Sequence, residues 1–333
     1  MNVKNVAILV TVLMFTAVVI GQALTYYAMP NRYDASADAS GSDVTYTVST
    51  NSSVTYTVLA YDDAKEIERL FIYYDEGYAA YGVTHAGLDR FIRQTIAELG
   101  VRGFTSEISI VNAVELRDAL DDRKDGDAVL VTSGVLPVTV YSDTENKMFK
   151  WVEDGGSLYW IGYAIGALYA DGKDLFDAAS SYQSDIFGAD DCILMDAATS
   201  TARSADPLSA GLLLNNNNLI YGLNVDAVND DAGVLVARSL GFEHEGYSSV
   251  SLFEKGNGLI CVLGGMPGGE ERISVTQLIS SGVTFLSDLI DSTGGSIVRN
   301  TITGTMDISG HSDVGVHIRM GEPSAVYART FFL

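Results

Sequence analysis

The chain has 333 residues, of which 47% are hydrophobic, and a formal net charge of −23 at pH 7. This length and apolar content can form the hydrophobic core of one large domain or of two smaller domains. The 20 Lys and Arg residues stand against 43 Asp and Glu residues, so little positive charge is available to neutralise phosphates, and nucleic acid is excluded as an expected partner. The acidic composition resembles that of proteins from salt-tolerant or archaeal cell envelopes.

The N-terminal segment is the first predicted element. Residues 6–29 carry no charge, and about 20 apolar residues are enough to span the hydrocarbon core of a bilayer. Lys4 precedes this run, and tyrosines stand near its far end. The pattern predicts a single-pass transmembrane helix in a cell membrane, with the N-terminus in the cytoplasm and the main domain outside it. A cleaved signal peptide is the alternative, since Gly21 and Ala23 form a small-x-small site.

After the anchor, residues 1–30, the composition changes twice. Residues 31–57 are rich in Ser, Thr, Asp and Ala, which predicts a polar spacer with at most a short strand. Over residues 58–292 strand and helix patterns alternate with short loops, which favours a parallel sheet covered by helices. The strands predicted in the first half of this domain are Arg69–Tyr74, Glu107–Val111, Asp127–Thr132 and Leu158–Ile161.

The second half of the chain is richer in strand patterns. Strands are predicted at Val234–Ser239, Ser248–Glu254 and Leu259–Gly264, and a helix over residues 274–290 is expected to close the domain. Residues 293–333 alternate again and predict a small C-terminal β appendage of three strands. The open edge of this appendage could pair with a strand of another envelope protein.

Three stretches of the chain carry a resemblance to a known family. They are AVLVTSGVLP, FKWVEDGGSLYWIGYAIGAL and GNGLICVLGGMPGGE. Their order over residues 66–292 resembles the class I glutamine amidotransferase-like superfamily, the flavodoxin-like group that includes ThuA-like proteins. The resemblance implies an α/β fold with a flavodoxin-like, doubly wound, mostly parallel sheet, to which the transmembrane helix and the β appendage are added.

The reactive positions of that family are changed in this chain. The family's cysteine nucleophile corresponds to Gly162, which has no side chain, and its histidine corresponds to Met266, whose thioether is no base at neutral pH. Glu270 and Glu271 follow, but a carboxylate alone cannot rebuild a nucleophile and base pair. We therefore expect a non-catalytic domain with a binding or structural role at the cell envelope.

Ligands of open α/β sheets bind beyond the carboxyl ends of the strands. The residues that follow these ends provide carboxylates, one imidazole, one hydroxyl and several backbone N–H groups, which suits a polar small molecule or a sugar. The predicted ligand cleft consists of Asp75, Glu76, His85, Ser133, Gly134, Gly162, Tyr163, Gly265 and Met266.

A cell-surface hydrolase of glycans or peptides is the alternative function. It would use Asp75, Glu76 and His85 as a relocated acid/base set. Adjacent residues of an extended chain point in opposite directions, so the two carboxylates need not converge. His85 is also interpreted as the start of a helix that Thr84 caps.

No metal ion and no cofactor is predicted. His311 and His317 are six residues apart, which on a strand is roughly 20 Å and too far for one ion. Cys192 and Cys261 stand in apolar runs and are expected to be buried, with a disulfide between them left open.

Overall fold

The computed structural model describes residues 31–196, 198–199, 202–214, 216–321 and 327–333. Within them strands outnumber helices. The strands of the first half are β1 (Tyr33–Ser40), β2 (Asp43–Thr50), β3 (Ser53–Tyr61), β4 (Arg69–Tyr73), β5 (Glu107–Val111), β6 (Asp127–Val131), β7 (Leu136–Pro137), β8 (Tyr141–Ser142), β9 (Glu145–Asn146), β10 (Ser157–Ile161), β11 (Leu168–Asp171) and β12 (Asp174–Asp177). Those of the second half are β13 (Ala198–Thr199), β14 (Ala202–Arg203), β15 (Asn218–Leu219), β16 (Leu223–Asn224), β17 (Ala237–Ser239), β18 (Phe242–His244), β19 (Tyr247–Ser248), β20 (Val250–Lys255), β21 (Gly258–Leu263), β22 (Leu289–Val298), β23 (Thr301–Asp307), β24 (Gly315–Met320) and β25 (Tyr327–Phe332).

The described helices are few and mostly short. They are α1 (His85–Val101), α2 (Ala113–Asp121), α3 (Lys147–Glu153), α4 (Tyr182–Phe187), α5 (Pro207–Leu212), α6 (Val225–Ala232) and α7 (Gly269–Ser281). Local capping explains two of the starts. Asn112 and Glu115 form a capping box at the start of α2, and the Thr84 hydroxyl accepts a hydrogen bond from the Gly87 N–H at the start of α1, as the sequence predicts.

A seven-stranded sheet forms the centre of the molecule, in the order β17-β20-β21-β10-β6-β4-β5. The strands β5, β4, β6, β10 and β21 are parallel, whereas β20 and β17 add to the β21 side in antiparallel pairs. All residues of β6 and β10 are buried, because both strands are covered on both faces. The sheet therefore has one carboxyl edge, at which the loops after the parallel strands meet.

The strands at the two ends of the described chain form a second unit. β1, β2 and β23 form one antiparallel sheet, and β22, β3, β24 and β25 form another. Side chains such as Val48, Val58 and Ile318 pack between them in one core. The central sheet is inserted in the sequence between β3 and β22, which are antiparallel neighbours and pair, for example, Thr57 with Gly294.

These arrangements correct the predicted fold class. The prediction of a flavodoxin-like, doubly wound α/β fold with a small β appendage is wrong for this chain, because its described residues form seven sheets with few and mostly short helices. Residues 31–57 form no spacer either: Val and Tyr alternate there with Thr and Ser, and this period of two places one face in a core. Residues 293–333 are likewise no separate appendage, since their strands pair with β2 and β3.

The membrane prediction also needs correction. Among the residues that the structure describes, no helix has the length and apolar character to cross a membrane. The predicted span, residues 6–29, lies outside the described residues. The structure therefore gives no support to a single-pass membrane protein or to the localisation predicted with it.

Candidate functional site

Backbone hydrogen bonds join the loops at the carboxyl edge of the central sheet. The Tyr81 N–H donates to the Ser133 carbonyl at 3.0 Å, and the Gly162 N–H donates to the Gly265 carbonyl at 3.0 Å. The Tyr221 N–H donates to the Gly264 carbonyl at 3.1 Å. These backbone hydrogen bonds hold the loops next to each other.

Gly162, the position of the expected nucleophile, has no room for a side chain. Its φ is +120°, which L-residues rarely adopt. A Cβ at this position would lie 2.7 Å from the Cα of Gly134 and 2.8 Å from its nitrogen. The two glycine loops thus pack backbone against backbone, and this conformation admits no thiol.

Met266, the position of the expected base, packs on the loop after β4. Its Cε lies 2.7 Å from the point that a Cβ on Gly82 would occupy. The thioether therefore joins two loops and provides no proton acceptor.

Glu271 is a buried carboxylate that contacts the loop after β21, and the sequence does not predict this role. It is 1% exposed, and it accepts a hydrogen bond from Asn218 Nδ2 at 2.5 Å. A Cβ on Gly268 would lie 2.7 Å from its Oε2. Burial raises the pKa of Glu271, and the Asn218 bond opposes this rise. Glu271 thus links the loop after β21 to the segment that carries Tyr221.

The three residues of the alternative acid/base set serve separate contacts. Both Asp75 oxygens accept backbone N–H groups, from Gly77 at 2.7 Å and from Ala113 at 3.0 Å. Glu76 is exposed and accepts the Tyr74 hydroxyl at 3.2 Å. His85 begins α1, and its buried Nδ1 has no hydrogen-bond partner among the described residues.

A small cavity lies between Asp75 and His85. Asp75, His85 and Ser133 line it, whereas Glu76 does not. Its volume is about 10 Å³, enough for about one water molecule but not for a sugar ring. The Ser133 hydroxyl donates to the Val135 carbonyl at 2.7 Å. These side chains therefore do not surround a substrate-sized space.

Three tyrosines meet at this edge instead. The ring centroids of Tyr81 and Tyr163 lie 4.1 Å apart, and those of Tyr163 and Tyr221 lie 5.0 Å apart. Tyr81 is 37% exposed, and the other two are half-buried. Burial raises the pKa of Tyr163, and the nearby Tyr81 and Asp177 raise it further. We call these three residues the tyrosine cluster; only Tyr163 was predicted from the sequence.

The remaining histidines and the cysteines form no metal site. Among the described residues no group of His, Cys, Asp and Glu could hold a metal ion. His317 is buried in β24, where burial, helped by nearby arginines, lowers its pKa to about 3, whereas His311 Nδ1 lies 3.1 Å from an Asp62 oxygen near the surface. Cys192 and Cys261 are buried free thiols and do not pair.

Comparison with known proteins gives a distant similarity to solved structures and no match to a family. No family model matches the chain, and no curated protein matches it. Among solved structures, the chain is similar to the exo-beta-1,4-mannosidase Op5Man5 from Opitutaceae bacterium strain TAV5, with 14% identity and a TM-score of 0.36 over 62% of this chain and 32% of that chain. The chain thus spans about a third of the mannosidase's length. A similarity of this size assigns no activity to this chain. The resemblance to glutamine amidotransferases is not tested by these comparisons and stays a prediction.

Proposed function

We propose that this chain is a non-catalytic glycan-binding protein and that the tyrosine cluster is its binding surface. The observation that carries the proposal is the meeting of Tyr81, Tyr163 and Tyr221, which come from three loops, at the carboxyl edge of the parallel strands. A tyrosine offers an apolar ring face to the C–H groups of a sugar and a hydroxyl to its polar groups. Asp177, close enough to influence the Tyr163 pKa, adds an acceptor for sugar hydroxyls.

The residues at positions 162 and 266 support binding without turnover. Nucleophilic catalysis needs an attacking side chain within hydrogen-bond reach of a base. Gly162 offers backbone only, and Met266 offers a thioether. The two oxygens of Asp75 already accept backbone N–H groups, which hold the carboxylate in place.

A glycan array followed by isothermal titration calorimetry tests the proposal on the full chain. We expect saturable binding of at least one oligosaccharide, and we expect Tyr163→Ala to weaken it about tenfold or more, since each factor of ten is about 1.4 kcal/mol. Tyr247→Ala is the matched control, because Tyr247 is also half-buried but lies in β19. Equal affinity of wild type and Tyr163→Ala, or no binding to any glycan, would refute the proposal.

Hydrolysis of glycans or peptides is the second candidate function. It is favoured by one observation: Asp75 lines the same small cavity as His85, whose Nδ1 has no hydrogen-bond partner within the described part of the chain. Glycans that bind in the array, and a set of peptides, can be incubated with the protein and examined for new reducing ends or new amino termini. Product release that Asp75→Asn, Glu76→Gln or His85→Ala abolishes would replace the binding proposal with the hydrolase.

A further inference from the structure

A second cavity lies at the amino edge of the central sheet, where β10 and β21 begin. Its volume is about 130 Å³, close to that of cavities that hold a benzene molecule. Phe285, Leu286 and Leu259 form an apolar wall, and Ser157 and Thr284 add hydroxyl groups. The side chain of Leu286 is 57% exposed, so the cavity borders on solvent and a small molecule can enter it.

Two opposite charges line the same cavity. Lys65 and Glu254 are both half-buried. Lys65 Nζ donates to the Gly155 carbonyl at 3.1 Å, a neutral acceptor, and neither side chain has an ion-pair partner among the described residues. Burial lowers the pKa of Lys65, although the charge of Asp125 opposes this effect. A partly buried charge without a counter-ion is costly, so both groups would gain from a charged ligand.

The two charges together select the class of ligand. A simple carboxylate would be attracted by Lys65 but repelled by Glu254, and a simple amine would meet the reverse. A zwitterion satisfies both, and the apolar wall requires a hydrocarbon group on the same molecule. We propose that this cavity binds a free α-amino acid with an apolar side chain. Its carboxylate pairs with Lys65, its ammonium group pairs with Glu254, and its side chain packs on Phe285 and Leu286.

Isothermal titration calorimetry of the full chain with four probes tests this site. Leucine carries all three features, whereas leucinamide lacks the carboxylate, 4-methylpentanoate lacks the ammonium group, and glycine lacks the side chain. We expect saturable leucine binding, with each of the other three at least about tenfold weaker, because each loses one matched contact. No saturable leucine binding up to about 10 mM, or equal binding of a singly charged analogue, would overturn the proposal.

Variants assign the binding to this cavity. Lys65→Met and Glu254→Gln are each expected to weaken leucine binding about tenfold or more, whereas Lys150→Met and Glu243→Gln, at positions outside the cavity, should leave it unchanged. Urea unfolding of each variant shows whether it remains folded, and Leu286→Asp, at an exposed position of the wall, provides a further variant that should abolish the preference for leucine over glycine. Wild-type affinity in both Lys65→Met and Glu254→Gln would show that leucine binds elsewhere.

Discussion

The Cα of Gly134 lies 2.7 Å from the point at which a Cβ on Gly162 would stand. Restoring a cysteine at position 162 therefore cannot restore a nucleophile without moving the loop after β6. We expect Gly162→Cys and Gly162→Ala each to lower the free energy of unfolding by about 3 kcal/mol, through the positive φ and the collision with backbone. Urea unfolding measures this difference.

Gly188→Ala provides the control for Gly162. Gly188 also has a positive φ, of +74°, but nothing lies within 4 Å of its Cβ position. Its replacement should cost about 1 kcal/mol, which is the backbone contribution alone. Equal costs at positions 162 and 188 would mean that the two glycine loops are not in tight contact.

Burial of Glu271 makes the stability of the protein depend on pH. Its pKa is raised in the folded state, so the folded protein binds more protons than the unfolded chain, and its contribution to stability falls as the pH rises from the unfolded pKa through the folded pKa. Glu271→Gln keeps an acceptor for Asn218 and removes the charge. We expect the variant to be more stable than wild type by about 1 kcal/mol at neutral pH, with no such gain near pH 4.

Urea unfolding at both pH values measures the effect of Glu271→Gln. Glu270→Gln is the adjacent control, because Glu270 is exposed and its replacement should change stability little at either pH. A Glu271→Gln variant that is less stable than wild type at neutral pH would show that the carboxylate, when charged, contributes favourably to the fold.

The sequence predicts local secondary structure better than it predicts which strands pair with each other. The alternation in β2 and the buried run in β6 follow from side-chain periodicity, and the Thr84 cap follows from residue type. The pairing of Thr57 with Gly294 could not be predicted, because alternation indicates which face is buried but not which strand lies beside it. The prediction of a spacer at residues 31–57 is wrong for the same reason. The polar face of these residues suggests a spacer, but the strands that pair with them lie near the other end of the chain.

The residues of the candidate site can likewise be predicted only where local sequence fixes their position. Residues that directly follow predicted strands, such as Gly162 and Tyr163, could be placed at the carboxyl edge. Tyr81 and Tyr221 could not, since they lie within longer segments whose path depends on tertiary hydrogen bonds to Ser133 and Gly264. The chain contains 18 tyrosines, so residue type alone does not mark these two.

Asp127 anchors the opposite edge of the sheet. Its side chain is fully buried, and its two oxygens accept Arg69 Nε and Nη2, each at 2.7 Å, while Oδ2 also accepts the Lys124 N–H. Removing the carboxylate leaves the Lys124 N–H without this acceptor, and it leaves the partly buried Arg69 guanidinium with its contacts to Asp122. We expect Asp127→Ala to cost about 3–5 kcal/mol in urea unfolding.

The exposed pair of Arg117 and Asp118 provides the comparison for Asp127. Its two side chains are 45% and 65% exposed, so Asp118→Ala should cost less than about 1 kcal/mol. If the two alanine variants lose equal stability, the buried bidentate pair gives no advantage over a surface ion pair.

The thiols of Cys192 and Cys261 should not react with a thiol reagent in the folded protein but should react in the unfolded chain. Burial raises the pKa of Cys192 to about 12 and also raises that of Cys261. At pH 8 roughly one Cys192 in ten thousand would be a thiolate, and the thiolate is the form that reacts. Ellman's reagent should therefore detect no fast thiol in native protein and two thiols in protein denatured without reductant, with Cys192→Ser and Cys261→Ser each lowering the count by one. A denatured count of zero would establish a disulfide, and a fast native reaction would place one of the thiols at the surface.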